Sequence, residues 1–416
     1  MRNAHYSSHS ERFSFTEKLK TSIPLSNSPG INLEDMVANG SRGIGMKIPS
    51  VSLKTWNQLY QVADRVYDLK PWEFIDDTEL FSIQDPVSGE FGYCCILGGA
   101  TELIGIAIYR GTQGLRVYEK IRSGALHAET EDFLLYQNCL QVLYVKLGDL
   151  DREDIKVLKK VENNPQDKPR VPVFRSYSPL WAPGFLSESE AQFLTLCLER
   201  VLDFTEIYQN DLGVLDAEQL DSYLTYIPAQ KNNQLTWSLK WKTPTSSSFF
   251  NSSASPLEDP HTSNPDLSLL DSLQKLKLSK EGDWEADIVS VTGLMNHEEQ
   301  GRPYFPRIIS AVDRQTLEPV FTTIISPLES SEETLVIGLL KAMMQKKSLP
   351  ERICVSRSKL QRALQPLCKS LGITLRIRSQ LPVMNLIKDE LRDFATGKTK
   401  QYSPHHLQEY NHLKLQ

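Results

Sequence analysis

The stretch Trp284-Glu285-Ala286-Asp287-Ile288-Val289-Ser290-Val291 decides the fold of the C-terminal half. It is strand-sized, and it is apolar apart from two carboxylates and a serine. A second apolar run, Tyr304 to Val312, and a third, Pro319 to Ile325, follow it, joined through Asp313-Arg314-Gln315-Thr316. Ser330 and Glu333 have capping-box spacing, which predicts a helix start. Leu335, Val336, Leu339, Leu340 and Met343 then recur on one helical face, and Pro350 follows its end. Arg352 to Val355 reads as a short fourth strand. Leu360, Leu364, Leu367, Cys368 and Leu371 mark a second helix, closed by Gly372. Ile373 to Ile377 is a fifth strand, and Pro382 opens a last helix with Met384, Ile387 and Leu391. The order over residues 283–395 is β-β-β-α-β-α-β-α.

That order resembles the ribonuclease-H-like domain of retroviral integrase and transposase cores. Trp284-Glu285-Ala286-Asp287 looks like the acidic first strand of such a core. Ser310-Ala311-Val312-Asp313 looks like the end of its second strand, and Leu349-Pro350-Glu351-Arg352-Ile353 like the approach to its second acidic residue. The resemblance implies clustered carboxylates holding two divalent metals about 3.5–4 Å apart, which activate water. Asp287 matches the first carboxylate. Asp313 and Glu390, or Asp389 beside it, are the other weak catalytic candidates. Where the second carboxylate belongs, the chain has Ser356-Arg357-Ser358. A hydroxyl with a guanidinium beside it opposes cation binding. The expectation is therefore a degenerate domain with no metal ligand set and no cofactor.

Residues 341–378 hold ten basic side chains against one acid, Glu351, in a chain whose net charge is −6. A local face, not the whole chain, could thus meet phosphates. Arg357, Lys359, Arg376 and Arg378 are its candidate contacts, and Arg376 and Arg378 alternate along a strand so as to share a side. The same segment could meet a protein partner. A solvated face, or one docked on the acidic remainder, is the plainer reading. Aromatic residues do not interleave with these charges, which argues against stacking on single strands.

Residues 46–242 read as a mixed α+β domain. Leu53, Trp56, Tyr60, Ala63 and Val66 give a helix. Leu80 to Ile83, Phe91 to Leu97, Leu103 to Tyr109 and Gln141 to Leu147 read as strands, with helices at Gly111–Arg122 and Arg152–Val161. Pro165 to Pro183 holds Pro165, Pro169, Pro172, Pro179 and Pro183, and reads as an extended connection rather than an interior strand. Ser187-Glu188-Ser189-Glu190 starts a further helix. Trp237-Ser238-Leu239-Lys240-Trp241 alternates like a strand, as core or as an exposed aromatic partner site. Outside these units lie a polar arm (1–45, with Met46 as the expected true start), a Ser/Pro/Asn-rich linker (243–282) and a polar tail (396–416).

The longer pattern resembles an uncharacterised two-part bacterial family, known as domains of unknown function. The N-terminal part of that family is similar to Phe81-Ser82-Ile83-Gln84-Asp85-Pro86, Tyr109-Arg110-Gly111-Thr112-Gln113-Gly114, Phe174-Arg175-Ser176-Tyr177 and Pro183-Gly184. The C-terminal part is similar to Gly301-Arg302-Pro303-Tyr304-Phe305-Pro306 and Leu371-Gly372-Ile373. The resemblance implies architecture and a cytoplasmic setting, and brings no catalytic residues.

Other chemistries find little support. No apolar run approaches the roughly 18–20 residues of a membrane span. The six cysteines form no C-x-x-C pair and sit among apolar neighbours, as expected of buried thiols in a reducing compartment. His127-Ala128-Glu129 lacks the P-C-x-x-C that a zinc deaminase needs. Gly98-Gly99 and Gly111-Thr112-Gln113-Gly114 read as turns rather than phosphate cradles. The expected function is a non-catalytic, cytoplasmic binding or interaction module. A nucleic-acid-binding protein or metal-dependent nuclease is the alternative, and a scaffold using the acidic N-terminal unit a third reading.

Overall fold

A computed structural model describes residues 51–98, 103–126, 131–161, 169–216, 222–232, 234–244, 268–290, 294–297, 299 and 301–395. They fall into two compact units, one built from 51–244 with 296–304, the other from 268–295 with 305–395. The arm with Met46, the tail, His127-Ala128-Glu129, Gly99 and most of the linker lie outside the described residues.

The first unit opens with α1 (Leu53–Leu69), whose Ser52 side chain accepts the Thr55 N–H. Three antiparallel strands follow: β1 (Phe81–Gln84), β2 (Phe91–Leu97) and β3 (Gly105–Arg110). Gly111, at φ +56°, starts α2 (Gly111–Arg122), so Thr112, Gln113 and Gly114 form a first helical turn rather than a loop. Then come α3 (Glu131–Tyr136), β4 (Cys139–Val145), α4 (Arg152–Leu158), β5 (Val171–Tyr177), α5 (Glu188–Asn210), β6 (Tyr223–Lys231) and β7 (Gln234–Lys242). Ser187 and Glu190 form the full reciprocal capping box at the start of α5.

One seven-stranded sheet results, ordered β5-β4-β3-β2-β1-β6-β7, antiparallel except between β1 and β6. The two-residue period of each strand sorts its side chains. Phe81, Ile83, Cys94, Ile96, Ile106, Ile108, Leu140 and Val142 enter the main core with α1 and α5. Tyr93, Cys95, Ala107, Tyr109 and Cys139 pack on the other side with Leu115 and Tyr118 of α2. The proline-rich connection corrects one expectation, because Val171–Tyr177 is a strand with Pro172 opposite Tyr144. It lies at the sheet edge, where a residue without an N–H breaks no ladder. The strand β6 is not evident from sequence periodicity alone. Trp237 of β7 is half-buried against Tyr226 beneath the Arg200 guanidinium, whereas Trp241 is exposed.

The chain resumes with α6 (Ser268–Lys275), β8 (Ser279–Lys280) and β9 (Asp283–Ser290). The expected strand from Tyr304 to Val312 breaks at Phe305-Pro306. Only its first residue, Tyr304, lies in β11 (Arg302–Tyr304), which pairs with β10 (Met295–His297), and this segment groups with the first unit. There the Ala182 N–H donates to the Pro303 carbonyl at 2.9 Å, and Arg302 donates to the Ala182 and Ser176 carbonyls. The second unit continues with β12 (Arg307–Asp313), β13 (Pro319–Ile325), α7 (Ser331–Lys346), β14 (Ser348–Leu349), β15 (Arg352–Val355), α8 (Ser358–Leu371), β16 (Thr374–Ile377) and α9 (Pro382–Ala395).

Its five-stranded sheet is ordered β13-β12-β9-β15-β16. The first three strands of that order are mutually antiparallel, and β15 runs parallel to both β9 and β16. Trp284, Ala286, Ile288, Ile309 and Ala311 meet α7 and α8 on one face. Val289, Ile308, Val312 and Cys354 meet Val383, Met384 and Ile387 of α9 on the other. On the first face, Gly338 of α7 lies under the Phe321 ring, which a β-carbon at that position would overlap. Gly338→Ala should therefore lower the thermal midpoint despite its better helix propensity, by an overpacking cost of about 1–3 kcal/mol. Thermal denaturation followed by circular dichroism measures it.

Candidate functional site

The strand β9 sends Glu285 and Asp287 to the α9 side of the sheet, because they are two residues apart. Asp287 is fully buried. The parallel register of β15 beside β9 sets Val355 opposite Ala286, so the next residues, Ser356 and Arg357, arrive level with Asp287. The Ser356 hydroxyl donates to Asp287 Oδ2 at 2.6 Å. Arg357 Nε lies 3.2 Å from Oδ1, which also accepts the Ile288 N–H at 2.9 Å. The same guanidinium donates to the Ile288 carbonyl at 2.8 Å. A second cation, Lys388 of α9, pairs with Oδ2.

Glu285 is the neighbouring buried carboxylate. Its Oε2 accepts the Met384 N–H at 3.0 Å, in the first turn of α9, and its Oε1 lies 3.1 Å from Arg314 Nε. Two residues of strand span about 6.7 Å and four residues of helix about 6 Å. That match lets Met384 and Lys388 meet Glu285 and Asp287. Burial holds the Glu285 carboxyl above its ordinary value, opposed by the Met384 N–H and Arg314.

Of the other sequence candidates, Asp313 and Lys359 do not join this pair. Asp313 lies opposite Trp284, which points to the other face of the sheet. There it accepts the Gln315 and Thr316 N–H groups of the following turn and lies 3.7 Å from Lys346 Nζ. The side chains of Asp389 and Glu390 lie outside the described residues. Lys359 pairs with Glu332 at 3.0 Å. Arg376, opposite Cys354 on the edge strand β16, and Arg378 just beyond it are exposed. Sequence reasoning missed Glu285, Arg314 and Lys388 as members of the cluster. The signal that could have found one of them was Lys388 itself, four residues after Met384 and beside Ile387 on an otherwise apolar stripe.

Divalent metals do not fit here. At each oxygen of Asp287 an ion would meet a hydroxyl, an ammonium or a guanidinium, groups that donate hydrogen bonds or repel a cation. The arrangement neutralises a buried carboxylate; it does not gather carboxylates. Among the described residues no helix is long and apolar enough to cross a membrane.

Fold and site together define a two-domain protein of mixed α and β structure. Residues 56–225 match the family model described as Domain of unknown function (DUF7309), and residues 269–392 match Domain of unknown function (DUF6930). Comparison with curated proteins finds no match.

Removing Asp287 leaves Lys388 and Arg357 facing each other without a counter-charge. Asp287→Ala should cost about 3–5 kcal/mol in urea unfolding, and adding Lys388→Met should restore part of it. Glu285 supplies a pH signature. Between the ordinary glutamate value of 4.5 and its raised value, the folded chain keeps a proton that the unfolded chain has lost. Its contribution is thus fully present below the ordinary value and is lost as pH rises through the raised one. Glu285→Gln, which keeps an acceptor for Met384, should flatten the melting-temperature profile as pH rises from the ordinary glutamate value.

Proposed function

We propose that the second unit is a ribonuclease-H-like domain stripped of its metal chemistry, and that the chain works as a non-catalytic binding or interaction module. The sheet order supports the first half of this reading. Three antiparallel strands are followed by two parallel ones, reached through α7 and α8. The observation that carries the second half is the set of partners on Asp287: Ser356, Arg357 and Lys388. Two-metal hydrolysis needs several carboxylates around its ions. A reducing cytoplasm is the setting we propose, in keeping with six cysteines that are all buried free thiols.

A second reading, contact with a nucleic acid, rests on a different observation. Of the ten basic residues between 341 and 378, Lys346, Arg352, Arg357 and Lys359 are taken up in ion pairs. The other six, Lys341, Lys347, Arg362, Lys369, Arg376 and Arg378, are exposed. Such charges suit a phosphate backbone, with affinity falling steeply as salt rises.

One set of titrations separates the readings. The full chain is titrated with Mg²⁺ and Mn²⁺ by calorimetry, and with a DNA duplex over a salt series. The expected result is no tight metal binding and no duplex cleavage. Saturable Mn²⁺ binding that Asp287→Asn abolishes, with cleavage, would restore the nuclease. Duplex binding whose salt slope drops by about two in the Arg376→Ala, Arg378→Ala double variant would establish the second reading instead.

A further inference from the structure

The two large sheets present four edge strands, and three of them carry devices that prevent further pairing. Pro172 leaves β5 without a backbone donor at one position of its edge, and Ser176 of the same strand is bonded to Gly184 and to Arg302. Pro319 begins β13, and its ladder with β12 is broken by a bulge at Ala311/Val312. Only four residues long, β16 carries Arg376. Prolines, bulges, short length and charge are the usual ways to blunt an edge.

The fourth edge, β7, carries charge only at Lys240 and Lys242, towards its end, and has neither proline, bulge nor short length. It is nine residues long, contains no proline, and pairs with β6 in one unbroken register from Gln234 to Lys242. Among the described residues no strand covers its outer side. Lys231 and Gln234 close the β6–β7 hairpin across a two-residue turn, so that pair exchanges both backbone bonds and alternate pairs follow suit. The N–H and C=O groups of Leu235, Trp237, Leu239 and Trp241 therefore point outward. Trp237 and Leu239 extend the main core, whereas Leu235 is 43% and Trp241 38% exposed.

We propose that β7 pairs antiparallel with β7 of a second copy of this chain, about a two-fold axis at Ser238, to make one sheet continuous through both molecules. The strand is complementary to itself in that register. Leu235 falls opposite Trp241 and Trp237 opposite Leu239, joining the two apolar stripes. Lys240 falls opposite Thr236 and Lys242 opposite Gln234, so no two lysines meet. The outward-facing residues occupy the positions that exchange backbone bonds, and Ser238 meets its own copy at a position that does not. The association is isologous and closes at two copies.

Sedimentation velocity of the full chain, from roughly 1 to 100 µM, tests this. The wild-type chain should reach twice the monomer mass. Gln234→Lys with Thr236→Lys sets lysine against lysine at exposed positions and should weaken the dimer about tenfold or more. Gln234→Glu with Thr236→Glu sets glutamate against those lysines and should strengthen it. Amide exchange at Trp237 and Leu239 should slow as concentration rises. A monomer at every concentration would overturn the proposal, whether residues 245–267 or a different protein is the true occupant. A dimer indifferent to both pairs of substitutions would overturn it too, since its contact would lie elsewhere.

Discussion

A carboxylate withdrawn from water must be met by charge, and Asp287 imposes that requirement on the second unit. It sits in the central strand of a five-stranded sheet with no solvent exposure. Stripping an ion of water costs several kcal/mol even after the protein relaxes, so its two oxygens must be fully partnered. Three separate parts of the chain converge to do so: β9 itself through the Ile288 N–H, the connection from β15 to α8 through Ser356 and Arg357, and α9 through Lys388. The position of α9 over the sheet is thus set by more than its apolar stripe. Met384 and Lys388 must reach Glu285 and Asp287 while Val383 and Ile387 fill the space between.

The same solution recurs in the first unit. Arg175, on the edge strand, grips Asp154 with both terminal nitrogens and reaches Asp151 at 3.1 Å, holding the start of α4 against the sheet. Arg110 ties Glu190, Asn138 and the Tyr177 carbonyl together at the point where β3 gives way to α2. Glu190 does two jobs there, since its other oxygen caps α5 through the Ser187 N–H. Arg302 is the exception. Its guanidinium donates to carbonyl oxygens, and burial pushes it down to about 10. A half-buried cation held by neutral oxygens fixes Arg302 and Pro303 by geometry more than by charge.

Much of this was legible in the sequence where local periodicity and punctuation act alone. The helix from Ser331, with Leu335, Leu339 and Met343 inward, follows from spacing and from Ser330 as its cap. The end of α8 follows from Gly372, which adopts φ +64°. Where the sequence misled, a longer-range fact had intervened. Pro172 was a reason to deny a strand only if that strand were interior, and edge position is a property of the sheet. Tyr304 to Val312 looked continuous because apolar character does not say which sheet a residue joins, and Phe305-Pro306 turns the chain from one to another.

The site shows the same division. The sequence by itself determined that Asp287 lies on a strand, that a hydroxyl and a guanidinium, Ser356 and Arg357, follow the strand ending at Val355, and that charge is concentrated between residues 341 and 378. These follow from residue identity and spacing along one chain. Only the tertiary structure decided that Asp313 faces away from Asp287, that Glu285 shares its side, and that Lys388 completes the neutralisation from 101 residues away. The reason is physical: strand order, register and the placing of a helix over a sheet arise from packing between distant segments, and no local period encodes them.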